Sequence, residues 1–292
     1  MTSTHQITEH RIPAGLPVPR MSFEDFLAFG RRALIRADVP VVITLPEDIQ
    51  GLGRAGLAER LGSMPVTLFT EPSDKANPLR WTSREIPLRD FLNDDRYWTD
   101  PSTWNRIVSN IRNRPADVNA ALGFDAGELF DYRGALNAAN LWVSHRGVFT
   151  KNHWDELENF NIALEGRKRF VLAPPGLRGY YPRSVLRGYG DKSQVFDLND
   201  VDLARFPKVA ARLAERREFI LEPGQMLYLP LGWWHQAESL DDVNINVNFW
   251  LRDAKIFRQP YVLGVAIYTE IFRKLKGIYN YQPAQATADG AS

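Results

Sequence analysis

Val243-Asn-Ile-Asn-Val-Asn-Phe-Trp-Leu251 is the stretch on which the fold turns. Val243, Ile245, Val247, Phe249 and Leu251 fall on one side of an extended chain, and Asn244, Asn246 and Asn248 on the other. A two-residue period of this kind is the mark of a strand with one apolar face. The three amides opposite must meet water, a ligand or a polar cavity, because an unpartnered buried amide is costly. A solvated sheet surface and a polar pocket both satisfy the pattern.

Working outward, short apolar runs recur at residues 141–143, 159–164, 168–173, 219–221 and 225–229, separated by Gly and Pro. Many short strands with turn signals between them indicate a β-sandwich or barrel. Glu165-Gly-Arg167 reads as a hairpin turn between two of the runs. Residues 180–217 are charged and punctuated by Pro and Gly, the pattern of an insertion with one short helix near 207–216. Upstream, residues 1–20 read as an irregular arm, and Ser22 caps a helix whose stripe is Phe23, Phe26, Leu27 and Leu34. Residues 39–45 and 65–70 read as strands. Residues 54–61 and 101–112 read as helices, the second with Trp104, Ile107, Val108 and Ile111 on one side. The expected organisation is an arm (1–20), a main domain (21–252, motif core 135–252), a helical segment (253–281) broken at Pro260, and a disordered tail (282–292).

The chain has 292 residues, with 36 Lys plus Arg against 35 Asp plus Glu, a net charge of +1. A protein that coats nucleic acid or an anionic membrane needs a basic excess, so that balance speaks against both. Cysteine is absent, which removes disulfides, Fe–S clusters and thiol nucleophiles and fits the cytoplasm. The longest run free of Asp, Glu, Lys and Arg, from Pro223 to Ala237, contains Pro and Gly and falls short of the ~20 apolar residues of a membrane span. The first residues lack the layout of a signal peptide.

Five histidines are present, and two stand in informative surroundings. In Thr150-Lys-Asn-His153-Trp-Asp155, an extended chain projects His153 and Asp155 to one face. In Gly232-Trp-Trp-His235 a second imidazole follows the run 225–229. Two histidines and one carboxylate form the facial set of non-haem Fe(II), leaving half an octahedron open. A His-x-Asp pair by itself is more often structural, and His235 alone could be a packed core histidine. Lys168 shares a face with Phe170 and Leu172, so it either enters an apolar interior to meet an anion or is a surface lysine beside Arg167 and Arg169. By residue type the surface reading is the better one. Asn159 and Asn161 share a face opposite Phe160, Ile162 and Leu164.

Taken together, Trp142-Val-Ser, Gly147, Thr150-x-x-His153-x-Asp155, Asn159, Gly166-Arg-Lys168-Arg-Phe170, Ala173-Pro-Pro, Pro223-Gly224, Tyr228-Leu-Pro230, Gly232-Trp-Trp-His235, Glu238-Ser239 and Val247-Asn248-Phe-Trp250 resemble a cupin-like JmjC domain. The pattern is most similar to the asparaginyl and arginyl hydroxylase branch and its bacterial relatives. It is dense over 141–251 and thin upstream. The resemblance implies a double-stranded β-helix, or jelly roll, mainly β with flanking helices. It implies Fe(II) held by His153, Asp155 and His235, with 2-oxoglutarate as co-substrate. Lys168 and Thr150 match the positions that hold its distal carboxylate, Asn159 and Asn248 match polar positions lining the pocket, and Trp250 matches an aromatic on the substrate side. Lys151 replaces the proline more frequent there, and Tyr132 is the candidate for an aromatic that often touches the distal carboxylate.

The expected function is a dioxygenase hydroxylating an unactivated carbon of a protein or peptide side chain. The alternative is a tailoring hydroxylase of a free amino acid or small natural product. A third reading, a cupin-like binding module without turnover, is disfavoured by the complete ligand set. Histone demethylation is disfavoured by the missing cysteines. Phe257, Val262, Val265, Ile267, Ile271, Phe272, Leu275 and Ile278 cover more than one helical stripe, so a homodimer through the C-terminal helix is also expected.

Overall fold

The structure is a computed structural model that describes residues 16–47, 51–74, 81–130, 136–187 and 189–275. Tyr132, Ile278, most of the arm and the tail lie outside the described residues. Thirteen strands are present among the described residues: β1 (Arg20–Ser22), β2 (Val41–Thr44), β3 (Pro65–Pro72), β4 (Thr82–Pro87), β5 (Thr103–Asn110), β6 (Leu136–Ser144), β7 (Phe149–His153), β8 (Glu158–Glu165), β9 (Lys168–Ala173), β10 (Arg217–Leu221), β11 (Gln225–Leu229), β12 (Trp234–Ser239) and β13 (Asn244–Leu251). They form a nine-stranded sheet, ordered β1-β2-β11-β8-β13-β6-β5-β3-β4, and a four-stranded sheet, ordered β10-β9-β12-β7.

From β6 onward the chain alternates between the two sheets, except that β9 and β10 are antiparallel neighbours in the smaller one. This winding is a double-stranded β-helix. Alternation along each strand supplies one face to the space between the sheets and one to an outer layer. Ile245, Val247, Phe249 and Leu251 of β13 face outward from the large sheet, into a core shared with Phe26, Leu34, Leu57 and Phe91 of the N-terminal helices. The outer face of the small sheet, with Val171 and Trp234, is covered by Tyr180, Val195, Phe206 and Leu213 of residues 180–217 and by Val262 and Val265 of the C-terminal helix Pro260–Leu275.

Four local expectations are corrected. Residues 101–112 are not a helix. Asn105, Ile107 and Ser109 are buried alternately, and β5 fills the slot between β3 and β6, so strand pairing overrides a spacing that also fits a helix. The predicted helix after Ser22 is two helices, Phe23–Phe29 and Arg31–Ala37, divided at Gly30, whose φ of 81° no helix interior accepts, and Leu27 remains exposed. Glu165-Gly-Arg167 is not a hairpin: β8 and β9 belong to different sheets, so the turn crosses the gap between them. Pro260 opens the C-terminal helix instead of breaking one, as suits a residue with no N–H to donate. Ser22 does cap its helix, accepting from the Asp25 N–H at 3.0 Å.

Candidate active site

His153 ends β7, and His235 lies opposite it on β12, a separate strand that the sequence reading did not distinguish from its approach. Asp155 follows His153 by two residues in the turn beyond β7. Its carboxylate oxygens lie 3.7 Å from His153 Nε2 and 3.6 Å from His235 Nε2. Two ligand atoms each about 2.1 Å from an ion stand at most ~4.2 Å apart, so these spacings suit one ion among all three. The His153 Nδ1 bonds the Lys151 carbonyl at 2.8 Å, and the His235 Nδ1 bonds the Trp233 carbonyl at 3.0 Å. Donation through Nδ1 leaves each Nε2 lone pair facing Asp155, the tautomer a metal requires. Burial holds His153 well below its ordinary pKa and His235 down to about 4, and it raises Asp155 to about 6. Neutral imidazoles and a carboxylate reluctant to ionise without a cation form a donor set that fits Fe(II).

Thr150 and His153 are three residues apart, which in a regular strand would put them on opposite faces. His153 pairs with His235 while Thr150 pairs with Ala237, so β7 takes three steps where β12 takes two. This β-bulge returns both side chains to the interior.

Lys168 is 9% exposed and points inward from β9. The surface-lysine alternative is therefore excluded. Burial first, and then the Arg106 charge, push its ammonium down to about 8. No carboxylate lies within ion-pair distance of it among the described residues, whereas Arg106 is paired with Glu71. The row from Arg106 to Lys168 is continuous: Arg106 pairs with Ser144, Ser144 Oγ meets Ser239 Oγ at 2.9 Å, and Ser239 pairs with Lys168.

The amides of β13 are buried, so the solvated-surface alternative is excluded too. Asn248 accepts from Trp142 Nε1 at 3.1 Å, Asn246 donates to Asn161 at 3.0 Å, and Asn159 hydrogen-bonds Asp155. Asn159 Oδ1, Asn140 Nδ2, Asn246 Oδ1 and Trp250 Nε1 are buried without a partner among the described residues. Such atoms are costly unless a polar ligand or solvent meets them. A buried lysine without a counter-ion among the described residues, in the same inter-sheet space as amides with unpartnered atoms, fits a small polar acid such as 2-oxoglutarate. Arg106 was missed in the sequence because its strand was read as a helix.

The fold is thus a double-stranded β-helix that brings two histidines and a carboxylate together and carries an inward lysine on a neighbouring strand, the build of a cupin. The chain belongs to the cupin-like (JmjC) domain family, whose model matches residues 53–255. It is similar to human HSPB1-associated protein 1, 37% identical over 117 residues that cover 39% of this chain and 23% of that protein. The tRNA wybutosine-synthesizing protein 5 of Danio rerio is 28% identical over 218 residues, 66% of this chain and 62% of that protein. Lysine-specific demethylase JMJ30 of Arabidopsis thaliana is 37% identical over 118 residues, 40% of this chain and 26% of that protein. The chain thus spans about a quarter of the first and third relatives and under two thirds of the second. Among the described residues no helix is long and apolar enough to cross a membrane.

Proposed function

We propose that the chain is an Fe(II)/2-oxoglutarate-dependent dioxygenase that acts in the cytoplasm and hydroxylates an unactivated carbon of a protein or peptide side chain. Family membership, with relatives named for lysine demethylation and wybutosine synthesis, supports an oxygenase of this type in general. The observation that carries the reading is the convergence of His153, Asp155 and His235, whose ligand atoms all lie within 4.8 Å of one another. Iron, a 2-oxo acid and dioxygen supply, when bound, an oxidising power that no side chain has.

The chain's own residues would do the rest. His153, Asp155 and His235 would hold the ion from one side and leave the other open. The Lys151 and Trp233 carbonyls keep both Nε2 atoms aimed inward. Lys168 and Thr150 would hold the distal carboxylate, Asn159 and Asn248 would line its path, and Trp250 would flank the substrate.

The test is a mass-spectrometric screen of the full chain with Fe(II) and 2-oxoglutarate against peptides, free amino acids and RNA. A gain of about 16 Da on a peptide, matched by succinate, is the expected result. A gain confined to free amino acids selects the tailoring hydroxylase, and a gain confined to RNA overturns the protein substrate. A chain whose Mn(II) form does not bind 2-oxoglutarate overturns the whole reading.

We extend the proposal to a homodimer through the C-terminal helix, on which Ile267, Ile271 and Leu275 are 51%, 50% and 80% exposed. Light scattering should give a dimer for the intact chain and a monomer for Ile267→Glu/Ile271→Glu. A monomeric intact chain removes the idea.

A further inference from the structure

Asn152, Trp154 and Gln236, which flank the two histidines in sequence, turn away from the proposed metal site and toward residues 191–198. On β7, the Asn152 N–H donates to the Phe196 carbonyl at 2.9 Å, its carbonyl accepts from the Ser193 N–H at 3.1 Å, and its side-chain amide donates to the Val195 carbonyl at 3.3 Å. The Trp154 N–H donates to the Asp191 carbonyl at 3.0 Å. On β12, Gln236 is 3% exposed and uses both ends of its amide. Its Nε2 donates to Asp197 Oδ1 at 2.6 Å, and its Oε1 accepts from the Leu198 N–H at 2.7 Å. Residues 191–198 thus run as a strap along the outside of the strands that carry both histidines.

Stability alone is a poor reason for this clasp. A buried carboxylate and amide are often replaced by apolar groups of similar size at no cost, because desolvation offsets what their hydrogen bonds contribute. Asp197 is 8% exposed. The apolar alternative is at hand, since Val171, Val195, Leu198 and Trp234 already form the surrounding layer. A polar pair fixes direction where an apolar contact does not. Its position one residue from His235 means that a small rotation of β12 there would swing the imidazole away from Asp155.

We propose that Gln236 and Asp197 are positioning residues for His235, and that the strap 191–198 holds the metal-binding geometry from outside the barrel. The inference rests on the proposed metal site. Losing an outer partner of a metal ligand costs about 10- to 100-fold in metal affinity. The experiment uses the full chain with Co(II), read by its visible ligand-field spectrum and by titration, at a temperature where each variant is folded. Gln236→Glu sets two carboxylates against each other. It should weaken Co(II) binding by about 10- to 100-fold and shift the spectrum. Adding Asp197→Asn reverses the donor and acceptor, because the new amide can donate to Glu at 236 while the Leu198 N–H still finds an acceptor, and both readouts should return. Val195→Ala, a packing deletion in the same strap, should lower Tm and move neither.

If Gln236→Glu does not fold, Gln236→Met carries the same comparison with Val195→Ala. Unchanged Co(II) affinity and spectrum in the Gln236 variants, or an equal loss in Val195→Ala, overturns the proposal. Failure of the metal reading itself is separable, because His235→Ala would then bind Co(II) like the unaltered chain.

Discussion

The space between the two sheets has two halves built from the same strands. Toward β10 and β2 it is apolar: Phe170, Leu172, Phe219, Leu221, Leu227 and Leu229 interlock there, with the Phe170 and Phe219 rings stacked at 5.8 Å. Toward β7 and β6 it holds His153, Asp155, His235 and the amides of β6, β8 and β13, several with unpartnered atoms. Lys168 sits on β9 two and four positions from Phe170 and Leu172, on the same face. The lesson is that one pleat serves both ends: the apolar half stabilises the pair of sheets, and the polar half spends some of that stability on groups that a ligand or solvent must satisfy.

If the halves are separable in this way, substitutions should divide cleanly between them. The largest effect belongs to the ligands. Asp155→Ala or His153→Ala should cost more than the about 10- to 100-fold expected for an outer partner, with folding retained. Metal content after dialysis, beside the far-ultraviolet circular dichroism, measures both. Next, Phe170→Ala should cost about 3–5 kcal/mol of stability and leave metal affinity unchanged, read from denaturant unfolding and metal titration. A fall in metal affinity at full folding would break the comparison, since it would mean the apolar half also shapes the site.

Lys168 sharpens the boundary with the smallest effect. Its removal as Lys168→Met should weaken 2-oxoglutarate binding to the Mn(II) form by roughly 10- to 100-fold, the loss of a charge-assisted hydrogen bond worth ~1.5–3 kcal/mol. The pH dependence has a definite sign. The folded ammonium titrates at about 8 and the unfolded one at its ordinary 10.5, so the unfolded chain binds more protons between those values. Stability of the ligand-free protein should therefore rise as pH increases from about 8 towards 10.5, by up to about 3 kcal/mol, and the rise should be absent in Lys168→Met. Arg106, whose charge faces the lysine, contributes to the same depression. Urea unfolding across that pH range, wild type minus variant, isolates it.

Much of this was legible in the sequence, for stateable reasons. The strict alternation of 243–251 admits only a strand, and a chain with five histidines makes a His-x-Asp pair followed by Gly-Trp-Trp-His informative. What stayed hidden depends on pairing partners that no local pattern encodes. Trp104, Ile107, Val108 and Ile111 fit a helix as well as a strand until β3 and β6 are in place to bond the backbone. Glu165-Gly-Arg167 has the residues of a hairpin and the geometry of a crossing. Gln236 and Asp197 lie 39 residues apart, and neither carries a signal by itself.

The bulge in β7 gives that strand something like a reading frame. Side chains on it are assigned to the pocket or the outer layer by counting, and the extra residue between Thr150 and His153 resets the count once. A substitution at Lys151 changes one side chain. Removing that extra residue would let β7 step evenly with β12 and keep Thr150 and His153 on one face, whereas straightening the strand at its full length would turn one of them outward, as a frameshift garbles a message without altering its letters. In this segment, then, the bulge carries the frame, and a redesign that regularises residues 150–153 without removing one of them would exchange inside for outside.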